Sequence, residues 1–239
     1  DGRVGSEVRG FVEQVLLLLW DSGLSVGQSF RSTKECLAIA REDLHSRTAL
    51  SEARLVTGST ELWDELRLAR EALLLDRRAR EAFFEAMRLE YDERHAKQQG
   101  AVCVQEPNVK EGVGGLRDLH TVLWIAHASL GGGLPTLENA GWISSRDHDA
   151  ARRAYDFLLR VRNEAHFCSG RKSDLLSLDM QHELAQRLGV KPRQGLLGSE
   201  VLMREYYRRA SEIAELARTV VARERPANRG VMALLRGHR

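Results

Sequence analysis

The sequence EPNVKEGVGGLRDLHT, residues 106–121, joins a short polar loop to the start of a helix. Pro107 ends any preceding helix, because its ring removes a backbone donor and clashes with the previous turn. Lys110 and three glycines follow. Beyond them, apolar residues recur at the spacing of an amphipathic helix, namely Leu116, Leu119, Val122, Leu123 and Ala126. The segment therefore predicts a glycine-rich turn that opens a helix.

A turn of this kind has the chemistry of a phosphate site. The first turn of a helix carries unpaired backbone N–H groups at the positive end of the helix dipole, which attracts anions. Gly114 and Gly115 would present that backbone, while Lys110 and Arg117 add a mobile and a planar positive charge suited to a triphosphate. The order differs from a Walker loop, because the lysine precedes the glycines. The spacing alone fits equally well a glycine-rich helix entry with a solvated lysine.

The same periodicity predicts a mainly α-helical chain. Besides the helix after the loop, helices are expected over residues 7–20, 33–40, 61–75, 77–98, 145–168, 181–188 and 200–223. Polar turns supply their caps, at residues 31–33, at Thr60 and at residues 144–145. Two segments, residues 24–30 and 50–57, are predicted as strands of at most a small residual sheet.

These elements suggest three regions. We interpret residues 1–60 as the C-terminal edge of an α/β domain and residues 61–225 as a helical bundle domain. Residues 226–239 are rich in arginine and glycine and are expected to form a flexible basic tail. The sequence begins at Asp1 without an initiator methionine, so we expect it to be a piece of a longer protein.

Composition narrows the class of protein. Lysine and arginine number 36 against 34 aspartates and glutamates, so no strong overall field favours nucleic acid or an acidic membrane. The three cysteines, Cys36, Cys103 and Cys168, are far apart and form no Cys-x-x-Cys pair, which argues against a disulfide framework or a zinc site. The longest apolar run, residues 15–20, is too short to span a bilayer. A cytoplasmic protein is expected.

Several motifs together resemble those of the bacterial PII uridylyltransferase/uridylyl-removing enzymes. Residues 107–118 match the family pattern P-N-[VI]-K-x-x-x-G-G-L-R-D, and glutamine-synthetase adenylyltransferases have a related segment. The stretch LWDSGLSVG at residues 19–27 is similar to the family's L-W-D-x-G-L-x-V-G, and residues 42–55 are similar to its D-L-x-x-x-T-x-L-x-E-[AS]-R-L. Residues 160–174 resemble its R-x-R-x-x-x-H-F and G-R-x-x-D stretch. The resemblance spans most of the chain.

The resemblance implies a nucleotidyltransferase fragment. The whole enzyme would transfer UMP from UTP, with Mg²⁺, to a tyrosine of the PII nitrogen-signalling protein. The fragment would comprise the end of the nucleotidyltransferase domain and the helical domain that carries the signature. The family's Gly-Ser and Asp-x-Asp metal motif is expected upstream, so this chain alone should be inactive, and no catalytic residue is assigned within it.

Two carboxylates are candidates for a further metal ligand. Glu52, before the turn at Gly58, matches an acidic-x-Arg strand of related nucleotidyltransferases and is preferred to Asp43, which lies at a predicted helix end. The alternative for each is a surface carboxylate paired with Arg54 or Arg47. If the joint site exists, residues 108–115 face a concave surface shared with residues 52–54. The Asp-x-Asp at residues 147–149 begins a helix, where dipole stabilisation suffices to explain it.

A basic set lies on or next to one predicted helix: Arg160, Arg162, His166 and Arg171. Arg162 and His166 are four residues apart and share a face. They either form ion pairs with Glu164 and Asp174 or line a cleft opposite the glycine-rich loop.

Two other functions stay open. An adenylyltransferase-like or other signalling nucleotidyltransferase would use the same helical domain, and sequence alone does not fix the preferred base. A non-catalytic helical interaction module, in which the glycine-rich loop only packs, would bind no nucleotide.

Overall fold

A computed structural model describes residues 6–98 and 100–223, and this part of the chain is helical. The helices are α1 (Ser6–Asp21), α2 (Thr33–Glu42), α3 (Leu44–Ser51), α4 (Thr60–Leu75), α5 (Arg77–Lys97), α6 (Leu116–Leu130), α7 (Leu134–Asn139), α8 (Ser145–Ser169), α9 (Leu178–Arg187) and α10 (Gly198–Arg223). The prediction of a mainly α-helical chain is confirmed. The predicted basic tail, residues 226–239, lies outside the described residues.

The chain divides into two compact units, residues 1–75 and 76–239. Helix α4 therefore belongs with the first unit, whereas the domain boundary predicted from the sequence lies at residue 60. The predicted domains, residues 1–60, 61–225 and 226–239, stay a prediction, because the two compact units of this chain do not define the domains of a longer protein.

In the first unit, α2 packs against α3 and α4. Ser32 begins α2 with a capping box, in which its hydroxyl accepts from the Glu35 N–H and the Glu35 carboxylate accepts from the Ser32 N–H. The cap predicted at residues 31–33 is thus confirmed. Helix α4 begins one residue earlier than expected, because the hydroxyl of Ser59, not Thr60, accepts from the Leu62 N–H at 3.1 Å.

Both strand predictions are wrong. Residues 24–30 have no regular structure, while Leu50 and Ser51 end α3 and residues 53–56 continue without pairing. Strands need a ladder partner to satisfy their backbone groups. Here the Arg70 guanidinium does so instead, donating to the carbonyl oxygens of Leu50 and Ser51 at 3.3 Å and of Ala53 at 3.5 Å. Apart from two isolated bridges, the described residues contain no β-structure.

In the second unit, α10 is the central helix and packs against α6, α8 and α9. Its buried face and those of its neighbours form the core, which includes Leu119, Val122, Leu158, Leu184, Tyr206 and Ile213. The burial of these side chains supplies most of the driving force for folding. Helix α5 packs on α6, and their contact holds the glycine-rich loop.

Local signals set the helix ends in this unit. Ser144 forms a capping box with Asp147 at the start of α8, as predicted. Gly131 and Gly170 adopt left-handed conformations at the ends of α6 and α8. Helix α9 begins three residues before the predicted start because Ser177 caps it. None of the described helices is long and apolar enough to cross a membrane.

Candidate functional site

The glycine-rich loop, residues 107–115 and hereafter the signature loop, is anchored at its start to the chain after α8. The Val109 N–H donates to the Asp174 carbonyl at 2.8 Å, and the Leu176 N–H donates to the Pro107 carbonyl at 2.9 Å. Asn108 and Leu175 form the isolated antiparallel bridge between these two bonds. Val109 is fully buried, so the start of the loop is fixed and shielded from solvent.

Asn108 then organises the first turn of the loop. Its side-chain Oδ1 accepts from the N–H groups of Lys110 at 3.0 Å and Glu111 at 2.7 Å. Its carbonyl oxygen accepts from the Gly112 N–H at 2.8 Å. Asparagine stabilises turns in this way because its short side chain substitutes for a backbone acceptor.

Gln98, directly after α5, binds the middle of the loop with both ends of its amide. Its Nε2 donates to the Glu111 carbonyl at 3.0 Å, and its Oε1 accepts from the Val113 N–H at 3.1 Å. One side chain thus satisfies a donor and an acceptor of a half-buried loop. No motif pointed to this contact, because Gln98 lies in a run of polar residues.

Asp118, in the first turn of α6, holds the end of the loop. Its side chain is 0% exposed. The carboxylate accepts from the Gly114 N–H at 2.7 Å, from Arg94 at 2.6 Å, and from His95 Nε2 at 2.9 and 3.0 Å to the two oxygens. Burial lowers the pKa of Arg94, but the carboxylates of Glu90 and Asp118 outweigh it and raise that pKa above its usual value. The guanidinium therefore stays charged beside Asp118.

As a result, each backbone N–H from Val109 to Asp118 already has an acceptor within the protein. The acceptors, in chain order, are the Asp174 carbonyl, the Asn108 side chain twice, the Asn108 carbonyl, the Gln98 side chain, the Asp118 carboxylate, and the carbonyls of Gly112, Val109, Lys110 and Gly115. The sequence predicted exposed N–H groups at this turn. In this geometry an anion could reach them only by displacing an existing bond, so phosphate binding by the backbone of Gly114 and Gly115 stays a prediction.

Close packing explains the glycines at these positions. Gly114 has a φ of +73°, and a Cβ there would overlap the carbonyl oxygen of Ala210 in α10. A Cβ at Gly112 would overlap the carbonyl of Asn108, and one at Gly115 would lie 2.8 Å from the carbonyl of Lys110. The signature loop thus needs glycine for contact with its own backbone and with α10.

Lys110 and Arg117 are brought together on the exposed side of the loop. Both contact the same oxygen of Glu111, each at 3.2 Å, and their side chains are 33% and 23% exposed. Arg117 also lies over the Trp124 ring, with 5.5 Å between guanidinium carbon and ring centroid. Burial raises the pKa of Glu111, but Arg117 and Lys110 outweigh it, so that the pKa lies below its usual value. Two accessible cations therefore share one resident carboxylate.

The second basic set is built around Asp174. Arg162 donates to its carboxylate at 2.7 Å, and His166 Nε2 lies 3.0 Å from the same oxygen. Because the Asp174 carbonyl also accepts from Val109, this cluster supports the base of the signature loop. Arg160 and Arg171 are exposed. The predicted ion pair with Asp174 is confirmed, whereas Glu164 pairs with Arg187 instead.

The metal candidates have different surroundings from those expected. Asp43 is the N-cap of α3, and hydrogen bonds from the Ser46 side chain and from the Ser46 N–H, the latter at 2.7 Å, lower its pKa. Glu52 is exposed at the end of α3 and not on a strand. Glu52 lies in the first unit and the signature loop in the second, so their joint site stays a prediction.

The Asp-x-Asp at residues 147–149 has a structural explanation. Asp147 forms the capping box of α8, and His148 pairs with Glu138. Among the residues that the structure describes, no group of three or more histidines, cysteines, aspartates or glutamates could hold a metal ion. These residues do not fit a Mg²⁺ site by themselves.

Sequence reasoning missed the most connected residues of this site, Arg94, His95 and Gln98. They lie in and directly after the last turn of α5, where basic residues usually complement the helix dipole. The only available signal was spacing. Positions 91, 94, 95 and 98 continue the buried face that begins at Phe84, and polar residues on a buried face indicate a specific partner.

Comparisons with known proteins identify a family whose sequence model covers the signature loop. A sequence model of the family described as GlnD PII-uridylyltransferase matches residues 82–221, which contain α5 from its second turn onward, the signature loop and most of α10. Bifunctional uridylyltransferase/uridylyl-removing enzymes are similar along nearly the whole chain. Those of Burkholderia mallei (strain ATCC 23344) and Burkholderia pseudomallei (strain 668) are 40% identical over 236 residues, which is 96% of this chain and 27% of each relative. The one from Burkholderia thailandensis is 40% identical over 230 residues, covering 94% and 26%.

The chain thus spans about a quarter of the length of the curated relatives it matches. The family model covers more than half of the chain and includes every residue that anchors the signature loop. This chain belongs to the GlnD PII-uridylyltransferase family.

Proposed function

We propose that the chain is the part of a PII uridylyltransferase that holds the triphosphate of UTP during transfer of UMP to a tyrosine of the PII protein. The observation that carries the proposal is the pairing of Lys110 and Arg117 on one rigid loop. Both side chains are partly exposed and lie within 3.2 Å of the same Glu111 oxygen. A triphosphate offers several oxygens to such a pair, and the planar guanidinium can bind two of them at once.

In this proposal the side chains, and not the backbone, bind the phosphates. The N–H groups of residues 109–118 are engaged inside the protein, so they fix the loop instead of contacting the ligand. Glu111 then partly offsets the charge of the two cations in the absence of nucleotide and releases them when phosphate binds. Binding through exposed side chains predicts an affinity that falls with salt.

The chemistry of transfer also needs Mg²⁺, which would polarise the phosphoryl group and orient the leaving pyrophosphate. The described residues do not form its site, so we propose that carboxylates elsewhere in a full-length enzyme supply it. Lys110 and Arg117 would bind and orient the nucleotide without activating it. We accordingly expect this chain alone to bind UTP and to transfer nothing.

The test is calorimetric titration of the chain with UTP. Lys110→Ala and Arg117→Ala should each weaken binding by about 10- to 100-fold, because a hydrogen bond to a charged group contributes about 1.5–3 kcal/mol. Lys191→Ala, an exposed lysine in the loop after α9, is the matched control and should bind as the unmodified chain does. Melting temperatures should change little, since both side chains are partly exposed. Lost stability with unchanged affinity would assign the two residues to packing instead.

The same titration separates the alternatives. An adenylyltransferase-like function predicts that ATP binds more tightly than UTP. A non-catalytic interaction module predicts no nucleotide binding, and one observation favours it: the loop satisfies its own N–H groups and needs no ligand to do so.

A further inference from the structure

The Asp118 carboxylate has more partners than a helix cap requires. One oxygen accepts from Arg94 and His95, and the other accepts from the Gly114 N–H and also lies 3.0 Å from His95 Nε2. A carboxylate accepts hydrogen bonds only, so His95 Nε2 carries the donated proton. Full burial of an ionised carboxylate is costly unless it is paired, and Arg94 with His95 meets that requirement.

Gly114, which donates to Asp118, lies between Lys110 and Arg117 along the chain. Gly114 is in the left-handed conformation that turns the chain back on itself between Lys110 and Arg117. The Arg117 N–H donates to the Lys110 carbonyl at 2.8 Å, so the backbones of the two cationic residues are joined directly. Gly114 lies within the turn that this bond closes, so a shift of Gly114 away from Asp118 would act on the turn that carries both cations.

The donors to Asp118 come from another helix. Arg94 and His95 lie in the last turn of α5, 24 and 23 positions before Asp118. Arg94 is also held by Glu90 at 2.9 Å, and the His95 ring stacks on Tyr91 with 3.9 Å between centroids. Each donor is thus fixed by a second contact within α5, which is the arrangement that holds a site within a fraction of an ångström.

We propose that Asp118, held by Arg94 and His95, is a positioning residue that sets the spacing of Lys110 and Arg117 for a nucleoside triphosphate. This inference rests on the proposed function. Neither Asp118 nor His95 contacts the ligand in this proposal. They act through the Gly114 turn, because a pair of cations binds a triphosphate tightly only when its geometry is set in advance.

The experiment compares substitutions of His95 in the 239-residue chain. His95→Ala removes one donor and leaves the Arg94–Asp118 pair intact, so the protein should still fold. We expect UTP affinity to fall about tenfold and the Gly114 amide to exchange with solvent at least about tenfold faster, measured by NMR below the melting transition. His95→Gln, whose Nε2 can still donate to the carboxylate, should recover affinity to within about threefold. His182→Ala, an exposed histidine of α9, is the control and should change neither quantity.

The outcomes are distinct. If His95→Ala speeds Gly114 exchange but binds UTP as tightly as the unmodified chain, Asp118 is only structural and the inference is wrong while the proposed function stands. If the unmodified chain binds no UTP, the proposed function fails and the positioning role fails with it. If Lys110→Ala and His95→Ala both weaken UTP binding and His95→Gln restores it, the proposed function and the positioning role of Asp118 are both supported. Asp118→Asn should lower UTP affinity more than His95→Ala does. If Asp118→Asn does not fold, the result for His95→Ala decides the test.

Discussion

Gly114 lies directly against the carbonyl oxygen of Ala210, and no side chain fits between them. This contact joins the signature loop to α10, the central helix of the second unit. Since Gly114 also has a positive φ, two independent reasons require glycine at this position. The glycine predicted from the helix-entry chemistry to bind phosphate is thus also where the loop meets the core.

Gly114→Ala should destabilise the chain by at least about 3 kcal/mol, since the strained backbone costs about 1–2 kcal/mol and the overlap with Ala210 forces a shift of backbone against backbone. Gly141→Ala is the matched control, because Gly141 has a φ of +66° but open space around its Cβ position. The stability lost by Gly141→Ala should be limited to the cost of the positive φ. Urea unfolding measures both, and equal losses would show that the contact with Ala210 relaxes freely.

Gln98→Leu should destabilise the chain by about 1–3 kcal/mol, because it leaves the Val113 N–H and the Glu111 carbonyl without their partner. Amide exchange at Val113 should become faster, while exchange within α8 should not change. Gln186→Leu, on the exposed face of α9, should shift stability by less than about 0.5 kcal/mol. Unchanged exchange at Val113 would mean that the turn made by Asn108 suffices to hold the loop.

Asp174 should make the free energy of unfolding depend on pH. Burial raises its pKa, but hydrogen bonds from Arg162 and His166 outweigh that effect and hold the pKa below its ordinary value. A carboxylate whose pKa is lowered on folding contributes stability that is present above its unfolded pKa of about 4 and disappears as pH falls through the lower folded value. Unfolding free energies of the unmodified chain and of Asp174→Asn should therefore differ at pH 6 and converge as the pH falls below about 4. A difference independent of pH would contradict this.

Glu111→Gln should strengthen UTP binding by about three- to tenfold at low salt. The substitution frees Lys110 and Arg117 from their shared carboxylate and removes a negative charge close to the phosphates. The gain should shrink at high salt, because screening weakens interactions between exposed charges. Titration at two salt concentrations measures it. A weaker affinity would show instead that Glu111 is needed to orient the two cations.

Arg117→Lys should bind UTP less tightly by about tenfold, since a point charge does not reproduce a two-pronged guanidinium contact. Lys110→Arg, which keeps the positive charge at position 110, should lose less UTP affinity than Arg117→Lys. If Arg117→Lys instead lowers the melting temperature and leaves affinity unchanged, Arg117 acts through its contact with Trp124. Phosphate binding would then depend on Lys110 alone.

Much of the fold follows from the sequence, because helix boundaries are set by groups close together in the chain. Ser32 and Ser144 cap their helices through residues three positions away, and Gly131 ends α6 through its own backbone conformation. The cations at Lys110 and Arg117, with the glycines between them, were likewise visible as a pattern. The family resemblance rests on such contiguous motifs, and the comparisons confirm it.

Other features depend on contacts that no local pattern encodes. Residues 24–30 and 50–57 have the composition of strands, but strand formation requires a pairing partner, and Arg70 binds the carbonyls of the second segment instead. Whether a glycine-rich turn offers its N–H groups to a ligand depends on which acceptors lie nearby. Gln98 and Asp118, the latter fixed by Arg94 and His95 of another helix, are two of the acceptors here. The sequence therefore determined that a helix begins between Lys110 and Arg117, and only the tertiary structure decided that the backbone N–H groups of the turn are already hydrogen-bonded.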